Sequence, residues 1–183
     1  MENLSSTMAL VEHVISRGAR SIGFVGDPQH CNSFHERWFG FCSALSHAGL
    51  PLDRALCILD GDQSPYNDAA WLAERIGRMP QLPDALICVN DYIAIHVMSA
   101  LKQLGLSIPA HIMVAGFDGT AQSAVVEPAL TTVQIPGAEI GRVAADVLLN
   151  RIDNPGRQFI SVYVKTTPVW RESTDRKYPS AQD

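Results

Sequence analysis

The sequence has no excess of positive charge, no long apolar run and no paired cysteines. Its 14 Lys and Arg are outnumbered by 19 Asp and Glu, for a net charge of −5. No basic stripe interrupts that balance, so the chain lacks the clustered cations with which proteins neutralise nucleic-acid phosphates. The opening stretch, MENLSSTMALVEHV, carries an acid at its second residue and no apolar run of secretory or membrane-spanning length. That reads as a cytoplasmic protein with no membrane partner. Cys31, Cys42, Cys57 and Cys88 form no C-x-x-C pair. The last three sit among apolar neighbours, as small core residues do in a reducing compartment.

Catalytic patterns are missing as well. There is no G-x-S-x-G elbow, and His35-Glu36 is not followed by the second His of a zinc helix. A phospho-acceptor domain needs an acidic pair after its first strand, and here Asp27 stands alone. No catalytic residue, metal ligand or cofactor is expected.

What remains is a globular composition, 46% hydrophobic and 18% charged over 183 residues, enough for a domain with its own core. Leu86, Ile87, Cys88 and Val89 form an apolar run with no polar face. That is the pattern of a strand buried on both sides in a parallel sheet. It stops at Asn90-Asp91, either of which can cap a helix over 91–104 by accepting an orphan backbone N–H. The arrangement recurs three times. SIGFVG at 21–26 precedes Asp27-Pro28 and a helix at 33–48. The strand at 55–59 precedes Asp60-Gly61-Asp62-Gln63 and a helix opened by Ser64-Pro65 that runs to about Arg78. HIMVAGF at 111–117 precedes Asp118-Gly119 and a short helix at 121–126. Further helices are expected at 4–17 and 138–151, and extended pieces at 131–133, 159–165 and 168–170. Alternating strands and helices imply an α/β fold, a three-layer α/β/α domain on a mostly parallel sheet. The segment 131–151 fits that sheet poorly, and the polar tail from Arg171 is expected to fray.

In a parallel sheet the strand ends share one edge, so the residues after them converge on one crevice. Those residues include Ser33, Arg37, Gln63, Asn90, Phe117 and Asp118. A guanidinium fork, carboxylates, amides that donate and accept, and aromatic faces suit a neutral polyhydroxylated ligand such as a sugar. No Gly-rich loop follows the first strand, so this is not a phosphate cradle. Each residue also has a plain structural reading. Ser33, Asn90 and Asp91 serve as helix caps, and Asp118-Gly119 as a turn. Arg37 in a first helical turn opposes the helix dipole, which leaves a ligand, a carboxylate partner or a surface salt bridge as its explanation.

Apolar residues run almost all the way round the 91–104 helix: Ile93, Ala94, Ile95, Val97, Met98, Ala100, Leu101 and Leu104. A sheet covers one face only, so the rest is buried against another segment or a second copy. A homodimer interface is the expectation.

The order and spacing of several motifs resemble the effector-binding core of the lac/gal repressor (LacI/GalR) family of bacterial transcription regulators. They are ALVEHVISRGARSIGFVGDP, Ser33-x3-Arg37-x2-Gly40, Leu59-Asp60-Gly61-Asp62, Pro83-Asp84-Ala85 to Val89-Asn90-Asp91, Leu104-Gly105-x-x-Ile108-Pro109, Val114-x-Gly116-Phe117-Asp118, Pro128-x-Leu130-Thr131-Thr132-Val133, Gly141-x2-Ala144 and Arg171-Glu172-Ser173-Thr174. The resemblance implies a periplasmic-binding-protein-like (type I) fold, two lobes with a small-molecule effector between them. This chain would supply the second lobe. It implies that Arg37, Asn90 and Asp118 match second-lobe ligand contacts, with Ser33 nearby. At Gln63 the family often carries an aromatic, so stacking on a sugar is not implied there. It implies homodimer contacts from the helix bearing Ile93, Val97, Met98 and Leu101 and from the loop around Val125. DNA contact is implied only through a helix-turn-helix absent from this chain. The corresponding division is a crossover helix at 1–18 toward a missing first lobe, an effector lobe at 19–128, a first-lobe segment at 129–151, return strands at 152–174 and a flexible tail at 175–183. The expected role is the ligand-sensing part of a sugar-responsive regulator. The alternatives are a periplasmic sugar-binding protein of the same fold and an α/β enzyme.

Overall fold

A computed structural model describes residues 1–176. Three parallel strands, β1 (Ile22–Val25), β2 (Ala85–Cys88) and β3 (Met113–Ala115), lie in the order β1-β2-β3. Every residue in them is buried, as the unbroken apolar runs require of a sheet covered on both faces. Val25 pairs with Cys88 and Ile87 with Ala115, so the strands end almost level. Single parallel bridges widen the sheet at both edges, Val25 with Ile58 and Ala115 with Thr131.

Two helix pairs cover the sheet. α1 (Leu4–Ser16) packs on α2 (Asn32–His47), and α3 (Ala69–Gly77) on α4 (Asp91–Gln103). The first pair approaches closely because Gly40 lacks a side chain; a Cβ there would lie 2.4 Å from the Leu4 carbonyl oxygen. Phe24, Phe41, Leu45, Leu72 and Leu101 are fully buried between the layers. Each such side chain contributes about 1.5–3 kcal/mol by leaving water.

The rest of the chain is a short helix α5 (Ala121–Val125), then β4 (Thr132–Gln134), α6 (Gly137–Asp153) and β5 (Thr167–Val169). β4 and β5 form a separate antiparallel pair. Beside it runs the N-terminus: the Glu2 amide donates to the Val164 carbonyl at 2.9 Å, and the Ser6 and Thr166 hydroxyls meet at 2.7 Å. Three segments of chain therefore cross together at one side of the lobe. Beyond them α6 has no buried residue.

Several expectations need correction. The strand expected at 55–59 reduces to a bridge at Ile58, because the Asp53 carboxylate captures the Ala55 amide at 2.9 Å and winds Arg54–Leu56 into a 3-10 turn. The helix expected from Ser64 starts at Ala69, where the Asp68 carboxylate accepts the Ala70 amide at 2.8 Å; Ser64 instead closes a turn onto Gly61. Ser33 lies inside α2, whose cap position is Cys31. Residues 159–165 form no strand, since no neighbouring strand pairs with them. The chain does not fray at Arg171. Glu172–Thr174 is a 3-10 turn with Ser173 and Thr174 fully buried, and the Ser173 hydroxyl donates to the Val114 carbonyl at 2.6 Å. Arg176 donates to the carbonyls of Pro109 and His111 at 3.1 and 2.8 Å. Of the tail expected at 175–183, residues 177–183 lie outside the described residues.

The largest correction concerns α4. Ile93, Val97, Met98 and Leu101 are all at most 6% exposed within the single chain, packed among the sheet, α3 and the rest of the core. The second cover for this all-round apolar helix is α3, so those four cannot be a dimer surface. Val125, named with them, is 81% exposed. Among the described residues, no helix is long and apolar enough to cross a membrane.

Candidate functional site

The rim at the carboxyl ends of the strands is built by the residues that follow each apolar run. β1 leads to Asp27 and the first turns of α2, β2 to Asn90-Asp91, and β3 to Phe117-Asp118. At its centre lies Arg37, only 2% exposed. Its Nε donates to the Asn3 side-chain oxygen at 3.1 Å and its Nη1 to the Val89 carbonyl at 2.7 Å. Its Nη2 lies 3.1 Å from the Asp118 carboxylate. Beneath the guanidinium is the Phe117 ring, with its centroid 3.8 Å away. A buried guanidinium is tolerated only when its donors are used, and here they tie α1, β2 and the loop after β3 to one point.

Burial pulls the Arg37 pKa below its ordinary value, and the charge and hydrogen bond of Asp118 partly restore it. Burial also pushes the Asp118 carboxyl up; Arg37 opposes that shift and the charge of Asp91 adds to it. Asp118 holds φ at 112°, a conformation that L residues rarely adopt. Its amide donates to the Val133 carbonyl at 3.0 Å, and its carbonyl accepts from Ile135 at 3.4 Å. The residue that meets Arg37 is thus bonded on both sides to the segment running out toward α6.

Asp91 is the second buried charge. Its carboxylate accepts from the Thr132 hydroxyl, from the Thr120 amide at 2.8 Å and from the Thr120 hydroxyl at 3.1 Å. Burial raises its pKa, and these donors oppose the rise. Gly116 makes room for it, since a Cβ there would sit 2.4 Å from Asp91 Oδ1. Asn90 caps α4: its Oδ1 accepts the Ile93 amide at 2.9 Å.

Beside this cluster opens a cavity of about 350 Å³, with Asp27, His30, Phe34, Asp62, Asn90 and Tyr92 on its walls. Phe34 joins the two, because its ring lies 5.7 Å from the Arg37 guanidinium and 4.7 Å from the His30 ring. His30 Nδ1 is 2.8 Å from the Asp62 carboxylate.

Of the six residues chosen from sequence, the structure joins Arg37, Asp118 and Phe117 in direct contact. Asn90 is next to them, following the carbonyl that Arg37 holds. Only Asn90 of the six lines the cavity. Ser33 is half-buried in the first turn of α2, and Gln63 is exposed and off the cavity wall. Sequence reasoning missed Asn3, the residue before α1, which bonds Arg37 from 34 positions away in the sequence with no local signal. It also missed His30 and Tyr92. Tyr92 was findable, because the first helical turn after a strand-end cap borders the same edge.

A profile of the periplasmic binding protein-like domain matches residues 11–174. The chain is 33% identical over 141 residues to the HTH-type transcriptional repressor PurR of Actinobacillus pleuropneumoniae serotype 5b (strain L20), covering 77% of this chain and 41% of that protein. It thus spans less than half the length of this curated relative. Among solved structures it resembles the transcription regulator GntR from Chromobacterium violaceum, with 32% identity and a TM-score of 0.82, covering 96% of this chain and 64% of that one. It also resembles a transcriptional regulator CelR–cellobiose complex, with 26% identity and a TM-score of 0.85, covering 94% of this chain and 52% of that one.

Proposed function

The chain belongs to the periplasmic binding protein-like domain family, in the form found in LacI-type transcription regulators, and from that premise we propose that it senses a small polar effector, a sugar or related metabolite, at the strand-end rim. The observation that carries this reading is the pairing of buried Arg37 with half-buried Asp118, set over Phe117 and bordering an open cavity. The solved regulator in complex with cellobiose is a relative of similar fold, which supports a carbohydrate-like ligand.

The same geometry suggests how binding is transmitted. Asp118 is bonded through its backbone to Val133 and Ile135, and Asp91 grips Thr120 and Thr132. An effector drawn onto this rim biases the segments that leave the lobe, and so the balance between two lobe arrangements. α6 and residues 157–165, with Leu149, Ile152, Phe159 and Ile160 exposed, belong to a first lobe that closes over the effector. DNA contact belongs to a helix-turn-helix outside these residues, and this acidic lobe itself does not hold operator DNA. The protein works in the cytoplasm as a homodimer. Its contact is the α4–α5 edge, where Leu104 and Val125 are 40% and 81% exposed, and not the buried stripe of α4.

The test is an NMR titration of the chain that follows the Arg37 Nε–H signal with cellobiose, ribose and adenosine. At least one compound is expected to move that signal, and Asp118→Asn is expected to weaken its binding at least tenfold. Binding indifferent to Asp118→Asn would remove the rim from effector recognition.

A further inference from the structure

The cavity beside the Arg37 cluster has a marked imbalance of charge. Its walls carry the carboxylates of Asp27 and Asp62 and a single imidazole, His30; among the described residues no Lys or Arg lines it. His30 is already committed, with Nδ1 2.8 Å from both Asp62 oxygens. The nearest guanidinium, Arg37, is almost fully buried and is spent on Asp118, Val89 and Asn3. Arg75, behind the cavity, pairs with Asp60 at 2.7 Å. Tyr66 offers a ring and no hydroxyl, because its OH donates to the Asp60 carbonyl at 2.7 Å. The amide end of α4 is occupied by Asn90. The amide end of α2 has no side-chain cap, and the Asp62 carboxylate is held on His30, two residues before that helix.

We propose that this cleft selects uncharged, hydroxyl-bearing ring compounds and rejects their phosphorylated or carboxylated counterparts, with Asp27 and Asp62 as the discriminating residues. The proposal rests on the effector-sensing reading above and adds the ligand's charge to it. The chemistry is one of acceptors. Carboxylates at the wall take hydrogen bonds from hydroxyl or ring N–H donors, and Phe34 and Tyr92 cover the apolar faces of a ring. A phosphate arriving at the same wall meets like charge with no unpaired guanidinium to receive it. The wall is open and Asp62 is half exposed, so solvent screens part of that repulsion and two carboxylates share the task. Discrimination by like charge is a standard device for excluding a wrong ligand. A free sugar and a nucleoside share the accepted chemistry, so both belong in the test.

The experiment uses matched pairs on the full chain: ribose with ribose 5-phosphate, glucose with glucose 6-phosphate, and adenosine with adenosine monophosphate. Inorganic phosphate serves alone as a further probe. Binding is followed by the Arg37 Nε–H signal and by wall-residue amides. A neutral compound that binds is expected to lose roughly 100-fold in affinity on phosphorylation, and phosphate alone is expected to shift nothing. In the Asp27→Asn, Asp62→Asn double variant the ratio is expected to fall to about tenfold or less. A melting curve establishes that the variant is folded, and Asp62→Asn alone serves if it is not. A phosphorylated compound that binds as tightly as its neutral partner overturns this proposal and leaves the sensing reading standing. If no compound on the panel moves any rim signal, the sensing reading fails and this proposal fails with it.

Discussion

α4 and α6 are both helices rich in apolar residues, yet they meet opposite fates. α4 has 13 residues, seven of them buried, while α6 has 17 and none. α4 is covered by the sheet on one side and α3 on another. α6 leaves Leu148, Leu149 and Ile152 at least 59% exposed. The contrast shows that an apolar stripe states only a demand for cover. Whether the cover comes from the same chain depends on what the topology brings alongside. For α4 the neighbour is the helix before it in sequence; for α6 no element of the described residues fills that place.

Substitutions can break or sharpen this contrast, beginning at the covered end of the rim. Arg37→Met leaves the Asp118 carboxylate and the Val89 carbonyl without their buried partner and is expected to cost about 3–5 kcal/mol. Urea denaturation measures this, and a cycle with Asp118→Asn is expected to recover part of the loss because the stranded carboxylate is gone. Leu101→Ala opens a cavity between α4 and its cover and is expected to cost about 2–5 kcal/mol, read as a lowered melting temperature. A near-zero change would mean that α4 is not the core helix described above.

A smaller effect is expected from Asp84, which fastens the start of β2 to residues 20–21. Burial raises its pKa, but the Arg20 and Ser21 amides, the Ser21 hydroxyl and the charge of Arg176 outweigh that and hold it below the usual carboxylate value. A carboxyl held lower when folded stabilises the protein above its unfolded pKa, and this contribution is lost as the pH falls through the lowered folded value. Asp84→Asn is therefore expected to reduce stability at neutral pH and to flatten the acid side of the stability–pH curve. The smallest effect belongs to the uncovered helix. Leu149→Ala on α6 is expected to change stability by no more than about 0.5 kcal/mol, since its side chain already faces solvent. A loss as large as that of Leu101→Ala would show that α6 is covered in solution.

The sequence was most legible where strands give way to helices. The apolar run before Asn90 and the cap it forms needed only local chemistry, and both are present. The meeting of Arg37 with Asp118 followed from the parallel arrangement, because level strand ends place their successors on one edge. Competition between short-range hydrogen bonds was harder to see. At 53–56 a side chain outbid the ladder for an amide, and at 64–68 two possible caps stood four residues apart. Long-range partners left no pattern at all. Neither the reach of Asn3 across to Arg37 nor the burial of Ser173 against β3 could be read from spacing.

The three crossings at the edge of the lobe have a further consequence. The turn at Asn154-Pro155-Gly156 is exposed, the kind of place where a protease cuts. A cut there would not release either piece. The N-terminal part would still hold β4 against β5 of the other, and Ser6 would still meet Thr166. The nicked molecule would travel as one particle until a denaturant separated its halves.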